Sequence, residues 1–347
     1  MNQAMTFNHE PAAQPQLRHV ECPGASTSND QTHRMAYWSW GDESNPRVLI
    51  CVHGLSRQGR DFDALARMMS PHYHVVCPDV AGRGESDWLA NPQNYQIFSY
   101  VSDMVALMQH LRAARGATEP LSIDWVGTSM GGLIGLGFSS LPAEVSGARL
   151  RRFVLNDVGP RLRHEALVRI GDYLGQPMRF KDEQEAAAYL RSISPGFGPH
   201  TDEVWMALSR PLLRAAPDGQ GLVLHYDPAI AEPFKTMSAE SAASGEAMLW
   251  QVYDALACDV LLLRGKDSDL LPQKRGPKYK TRRPLPFIEN KVIELRYKGN
   301  NKLEIVNILK PSLHKFTPSA SGVYNISKRY GLNRLNPKMK ESKRKII

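Results

Sequence analysis

No stretch of this 347-residue sequence approaches the ~18 consecutive apolar side chains that a membrane-crossing helix needs. A secretory signal is lacking as well. Met1 to Arg34 is polar and proline-bearing, with no apolar run behind a basic start, and reads as a flexible leader over residues 1–34. Cysteine is scarce: four residues (Cys22, Cys51, Cys77, Cys258), scattered without metal-ligand spacing. Cys51 and Cys77 lie in apolar, strand-like runs, so free buried thiols in a reducing compartment are expected, with the cytoplasm as the location and no metal or cofactor. Lysine is nearly missing from the first 272 residues, which hold only Lys181, Lys235 and Lys266.

That last shortage divides the chain. From Gln273 onward there are 20 Lys+Arg against 4 Asp+Glu, whereas the preceding residues carry 23 against 31. The overall +8 therefore combines an acidic body with a strongly basic end, and so abrupt a change predicts two modules with different partners.

Within the first module, short β-rich runs alternate with helical stripes. Met35 to Trp40, Arg47 to Val52, Tyr73 to Cys77, Leu121 to Val126, Arg152 to Asn156 and Val260 to Leu263 read as strands. Asp61 to Met69 and Ile97 to Leu111 show apolar residues three or four apart, the helical period. The alternation predicts an α/β fold, a mostly parallel, doubly wound sheet covered on both faces. It lapses between Pro160 and Trp250, where helical material such as Gln184 to Ser192 predicts a cap over the carboxyl edge of the sheet. The expected division is a core at 35–160 and 246–272, a helical cap at 161–245 and a basic module at 273–347.

The chemistry centres on Gly127-Thr128-Ser129-Met130-Gly131, between an apolar strand and an apolar helix. Such a turn holds a serine in strained backbone geometry with its hydroxyl exposed at the sheet end. His53-Gly54 after a strand, Asp79 with Gly82-x-Gly84-x-Ser86-Asp87, Asn156-Asp157-Val158-Gly159-Pro160 and Gly265-x-x-Ser268-Asp269 complete an ordered set of landmarks. Over about residues 35–271 the chain resembles the α/β-hydrolase family, whose capped subgroup includes esterases, enol-lactonases and C–C hydrolases. The resemblance implies Ser129 as nucleophile toward a carboxylic ester or lactone, through an acyl-enzyme. It implies an oxyanion hole from the backbone N–H groups of Leu55 and Met130, with His53 supporting that loop at the edge of the substrate pocket. The acid is Asp269 or, as in some members, Asp157, with Asp267 behind both. Trp205 and Tyr226 are candidate pocket residues, since aromatic cap side chains imply an apolar substrate.

The histidine breaks the pattern. The family places it after the acid, beyond one further strand, and the only histidine after Asp269 is His314, in a basic setting with no β-run before it. His200 and His225 are conceivable stand-ins from the cap. The expectation is a sheet cut short after Leu271 and a hydrolase of low activity.

The basic module reads as three short helices: Phe287 to Tyr297, with Ile288, Val292 and Leu295 inward; Lys302 to Leu309, with Leu303, Val306 and Leu309 inward; and a third capped by Ser319, with Val323, Ile326 and Tyr330 inward. Through Arg275-Gly276-Pro277-Lys278-Tyr279-Lys280-Thr281-Arg282-Arg283 and Ser321-Gly322-Val323-Tyr324-Asn325-Ile326-Ser327-Lys328-Arg329 it resembles the amino-terminal helix-turn-helix of insertion-sequence transposases. That resemblance implies non-specific DNA as a partner, with Arg282, Arg283, Asn325, Lys328 and Arg329 as contacts, and a gene fusion as the origin of the chain.

Overall fold

The computed structural model describes residues 14–24, 32–235, 239–271, 286–313 and 317–332. Contacts divide the chain into two compact units, Met1–Lys274 and Arg275–Ile347.

The first unit is built on a seven-stranded sheet. In chain order its strands are β1 (Gln16–Cys22), β2 (His33–Trp40), β3 (Val48–Val52), β4 (His74–Pro78), β5 (Leu121–Thr128), β6 (Ala148–Asn156) and, after the cap, β10 (Asp259–Leu263). The spatial order is β1-β2-β4-β3-β5-β6-β10. β1 pairs antiparallel with β2 and β2 with β4, and the other pairs are parallel. One expectation is corrected here: Gln16–Cys22 is not leader but an edge strand. Its polarity hid it, because only Val20 and Cys22 of its seven residues face the interior.

The pleat of β3 explains the two-sided core. Val48, Ile50 and Val52 join a cluster with Trp125, Ile134 and Phe153, while Leu49 and Cys51 point the other way, toward Phe62, Val75 and Cys77. Helices α1 (Asp63–Met69), α2 (Ile97–Ala114) and α3 (Met130–Ser139), with the short α4 (Ala143–Ser146), connect the strands.

The cap runs through α5 (His164–Tyr173), β7 (Arg179–Phe180), α6 (Glu183–Ser192), α7 (Asp202–Ser209), β8 (Leu213–Ala215), β9 (Leu222–Leu224), α8 (Glu232–Lys235) and α9 (Ala239–Ala255). It is not wholly helical, because β7, β9 and β8 form a small antiparallel sheet. Gly219 and Gly221, both at positive φ, make the β8–β9 turn in Asp218-Gly219-Gln220-Gly221.

At the far side of the main sheet β10 pairs only with β6, and among the described residues no further strand covers it. Leu261, Leu262 and Leu263 are 55%, 38% and 45% exposed, an unusual state for leucines in a parallel sheet.

The second unit holds α10 (Pro286–Tyr297), α11 (Lys302–Leu313) and α12 (Ala320–Arg329) around its own core of Ile288, Val292, Leu295, Ile305, Leu309, Val323 and Ile326. Two inward expectations fail. Leu303 is 61% exposed, with Ile305 in its place, and Tyr330 is 51% exposed, its hydroxyl donating to Glu289. Ser319 caps α12 by accepting from Gly322 N–H.

Candidate active site

β5 is apolar and buried at Ile123 and Trp125, and the chain reverses at Ser129 before α3 starts at Met130. Ser129 has φ 49° and ψ −116°. Only one other non-glycine residue, Asp157, has positive φ among the described residues. Such a conformation costs about 1–3 kcal/mol and persists only where its surroundings enforce it. Here they do: Ser129 N–H donates to Asn156 O at 2.9 Å, and its own carbonyl accepts from Gly132 N–H at 2.9 Å. Gly131 lets α3 lie against β3. A Cβ there would fall 2.5 Å from the Val52 carbonyl carbon and 2.9 Å from the His53 oxygen. Among the described residues nothing hydrogen-bonds the Ser129 hydroxyl.

The loop after β3 runs alongside. A Cβ on Gly54 would come 3.8 Å from the Ser129 Cβ, so the loop passes beside the serine at Gly54. Met130 opens α3, where first-turn N–H groups have no intrahelical acceptor and the helix dipole favours negative charge.

His53 does not line a pocket. It is fully buried, with Nδ1 donating to Gly54 O at 2.7 Å and Nε2 accepting from Val80 N–H at 2.9 Å. Burial, and then the nearby Arg83 and Arg57 charges, push its pKa down to about 3, only partly offset by the Gly54 bond. It is a neutral strut between the loop after β3 and Val80. Asp79 braces the same region by accepting from Gly59 N–H, Glu85 N–H and Trp38 Nε1–H at 2.6, 3.0 and 3.2 Å.

Sequence reasoning passed over Arg83. Its buried guanidinium donates to Leu55 O at 2.8 Å, to Ala81 O at 2.7 Å and to Tyr100 Oη at 2.8 Å, and it reaches Met130 Sδ at 3.7 Å. One rigid fork thus ties the loop after β3 to the first residue of α3. The available signal was its place between Gly82 and Gly84, both at positive φ, which fold the loop back on itself.

The two acids lie on loops at the carboxyl ends of β6 and β10, adjacent parallel strands beside β5. Asp157 accepts Gly265 N–H at 3.0 Å through Oδ1, and its own N–H donates to Leu263 O at 2.9 Å. Asp269 accepts from Arg169 of α5 at 3.0 and 2.6 Å, and its side chain is 56% exposed. Among the described residues neither carboxylate meets a histidine. His200 packs edge-on against Trp205, the His225 backbone accepts from Gly84 N–H, and His314 lies outside the described residues.

Of the expected pocket aromatics, Trp205 is buried inside the cap, stacked with Phe197 at 6.1 Å. Tyr226 does line a cavity, of about 360 Å³, with Gln176, Arg179, Arg214, Val223 and Leu224. That cavity belongs to the cap, and Ser129 is not on its wall.

A model of the alpha/beta hydrolase family matches residues 49–291. The chain belongs to that family. A 3-hydroxybutyrate-oligomer hydrolase from Cupriavidus necator is 48% identical over 262 residues, covering 75% of this alpha/beta hydrolase and 84% of the relative. A pimeloyl-[acyl-carrier protein] methyl ester esterase from Xanthomonas campestris is 28% identical over 195 residues, 52% of this chain and 68% of that one. The crystal structure of an alpha/beta hydrolase from Novosphingobium aromaticivorans superposes with a TM-score of 0.60 at 31% identity, covering 75% of this chain and 85% of that one. These relatives are named as a hydrolase of 3-hydroxybutyrate oligomers and an esterase of a pimeloyl methyl ester. Among the described residues no helix is long and apolar enough to cross a membrane.

On the second unit, α12 leaves Asn325 and Lys328 exposed. Arg329, expected at a DNA phosphate, is instead drawn into an ion pair with the buried Glu289 of α10, which holds the helices together. Arg282 and Arg283 lie outside the described residues.

Proposed function

We propose that this alpha/beta hydrolase opens a short aliphatic ester or lactone through Ser129, with slow turnover because the triad's proton acceptor is missing. The observation that carries the reading is the positive φ of Ser129 between a buried strand and the N-terminus of α3, beside Gly54. The 48% identical relative makes a linear hydroxyalkanoate ester the first substrate to test. Ser129 Oγ would add to the carbonyl carbon and lose its proton to solvent. The Leu55 and Met130 N–H groups would hold the oxyanion, the alcohol would leave, and water would then release the acid. Asp269, or Asp157, is the acid such a site would use, yet each is engaged elsewhere: Asp269 with Arg169, Asp157 with Gly265 N–H. Removing the base from a serine triad costs a factor on the order of 10^6 in turnover.

Labelling with a fluorophosphonate, alongside hydrolysis of 3-hydroxybutyrate dimer, tests this. Slow, stoichiometric labelling that disappears in Ser129→Ala is expected. Undiminished labelling in that variant would remove Ser129 from the chemistry.

A second reading, a DNA-binding fragment joined to an inactive hydrolase, draws on the separate three-helix core and the excess of 20 basic over 4 acidic residues from Gln273 onward. Phosphate contacts would make duplex DNA affinity fall steeply with salt. An absence of binding at low salt would refute it.

A further inference from the structure

Away from Ser129, three residues distant in sequence converge under the sheet's first edge. Cys22 ends β1, His33 begins β2, and the two are directly opposite each other in the antiparallel ladder. Asp103 sits in the middle of α2, the only carboxylate among that helix's eighteen residues, 1% exposed on its core-facing side. One ligand atom from each lies within 4.8 Å of the other two, and His33 Nε2 is 3.2 Å from Asp103 Oδ2.

We propose that Cys22, His33 and Asp103 form a binding site for a divalent metal ion of the zinc class. Zinc bonds of ~2.0–2.3 Å at tetrahedral angles put neighbouring ligand atoms roughly 3.3–3.7 Å apart. The His33–Asp103 edge, at 3.2 Å, is close to that spacing, and the Cys22 sulfur lies within 4.8 Å of both partners. A thiolate, an imidazole and one carboxylate suit zinc or cobalt, and do not suit the all-oxygen preference of magnesium or calcium. The charge balance fits too. A dication with one thiolate and one carboxylate is neutral, the form a buried site tolerates. Without metal, burial holds the Asp103 carboxyl and the Cys22 thiol above their ordinary ranges, whereas His33 is held above its own by Asp103, against the effect of burial. The Arg34–Asp87 pair and Glu21 are the other charges acting on His33, and neither competes as a ligand. Bound there, the ion would fasten β1 and β2 to α2, with a fourth position left for water. Sequence spacing could not show this site, because its ligands are 11 and 70 residues apart and come from three elements.

The test uses the full chain, stripped with a chelator and then titrated with Zn²⁺ and separately with Co²⁺. One equivalent of zinc should bind and raise the melting temperature. Cobalt should give a thiolate charge-transfer band in the near ultraviolet together with intense tetrahedral visible bands. Cys22→Ser should abolish the charge-transfer band, and Asp103→Asn should weaken zinc binding by roughly tenfold or more. If Cys22→Ser does not fold, Asp103→Asn and the parent cobalt spectrum decide. No stoichiometric uptake, a parent spectrum without the thiolate band, or uptake unchanged in Asp103→Asn would each overturn the site and leave a hydrogen-bonded core cluster.

Discussion

Replacing Gly131 with alanine adds one methyl group at the place where α3 crosses β3. The new Cβ would meet backbone on every near side: the Val52 carbonyl carbon at 2.5 Å and the His53 carbonyl oxygen at 2.9 Å. Neither atom can rotate away, so the helix and strand must part by roughly half an ångström or more, a distortion in the range of ~1–3 kcal/mol for overpacking. For a unit of this size ~1 kcal/mol corresponds to ~2–4 °C, so Gly131→Ala should lower the melting temperature by roughly 2–12 °C. The same shift moves the Val52–His53 backbone, and with it Leu55, relative to Ser129, so the variant should lose fluorophosphonate labelling more severely than its stability loss explains. Gly245 in α9 is the matched control. A Cβ there meets nothing within 4 Å, and Gly245→Ala should stabilise by ~0.5–1 kcal/mol through helix propensity alone. Thermal unfolding followed by circular dichroism, with labelling rates at 20 °C below each midpoint, separates the two effects. If Gly131→Ala melts with the parent and labels normally, the close approach of α3 to β3 is wrong, and the oxyanion geometry derived from it falls too.

Two further outcomes follow from burial and edge exposure. Asp79 is fully buried, and burial raises its pKa to about 7, partly offset by the three N–H groups it accepts. Its folded pKa thus lies above the unfolded one, so its stabilising contribution is complete below about pH 4 and is lost as pH rises through about 7. Asp79→Asn should therefore lose less stability than the parent between pH 5 and 8 in denaturant titrations, and an identical pH slope would refute the assignment. At the open edge, Leu261 and Leu263 are exposed and side by side on one face of β10. Leu261→Lys with Leu263→Glu should reduce light scattering on heating while changing stability little, and unchanged scattering would mean that the edge is not the sticky surface.

How much was legible follows the range over which each feature is encoded. Ser129, the flanking strand and the apolar α3 are contiguous, so local pattern alone located them. The inward residues Ile288, Val292 and Leu295 of α10 and Val323 and Ile326 of α12 were equally readable, because a 3.6-residue period records which face packs, whereas in α2 only Met108 and Leu111 of the expected stripe are fully buried. β1 escaped because an edge strand with five of its seven residues exposed has no apolar signature. The β8–β9 hairpin escaped because three-residue strands are shorter than any period. The engagement of Asp269 by Arg169, 100 residues away, and of Arg329 by Glu289, 40 residues away, depends on tertiary pairing that no spacing rule encodes. Arg83 is the instructive omission. A charged residue in a turn normally reads as solvated, and only its four partners in the fold show it to be an internal brace.

The most direct test of the account is the pH dependence of Ser129 acylation by a fluorophosphonate, measured in the full chain. Without a histidine base the rate should climb about tenfold per pH unit from roughly pH 6 to 9, because hydroxide alone generates the alkoxide. A rate that instead levels off above a midpoint near ~6.5, and loses that plateau in His314→Ala, would restore a working triad and contradict the claim that the proton acceptor is missing.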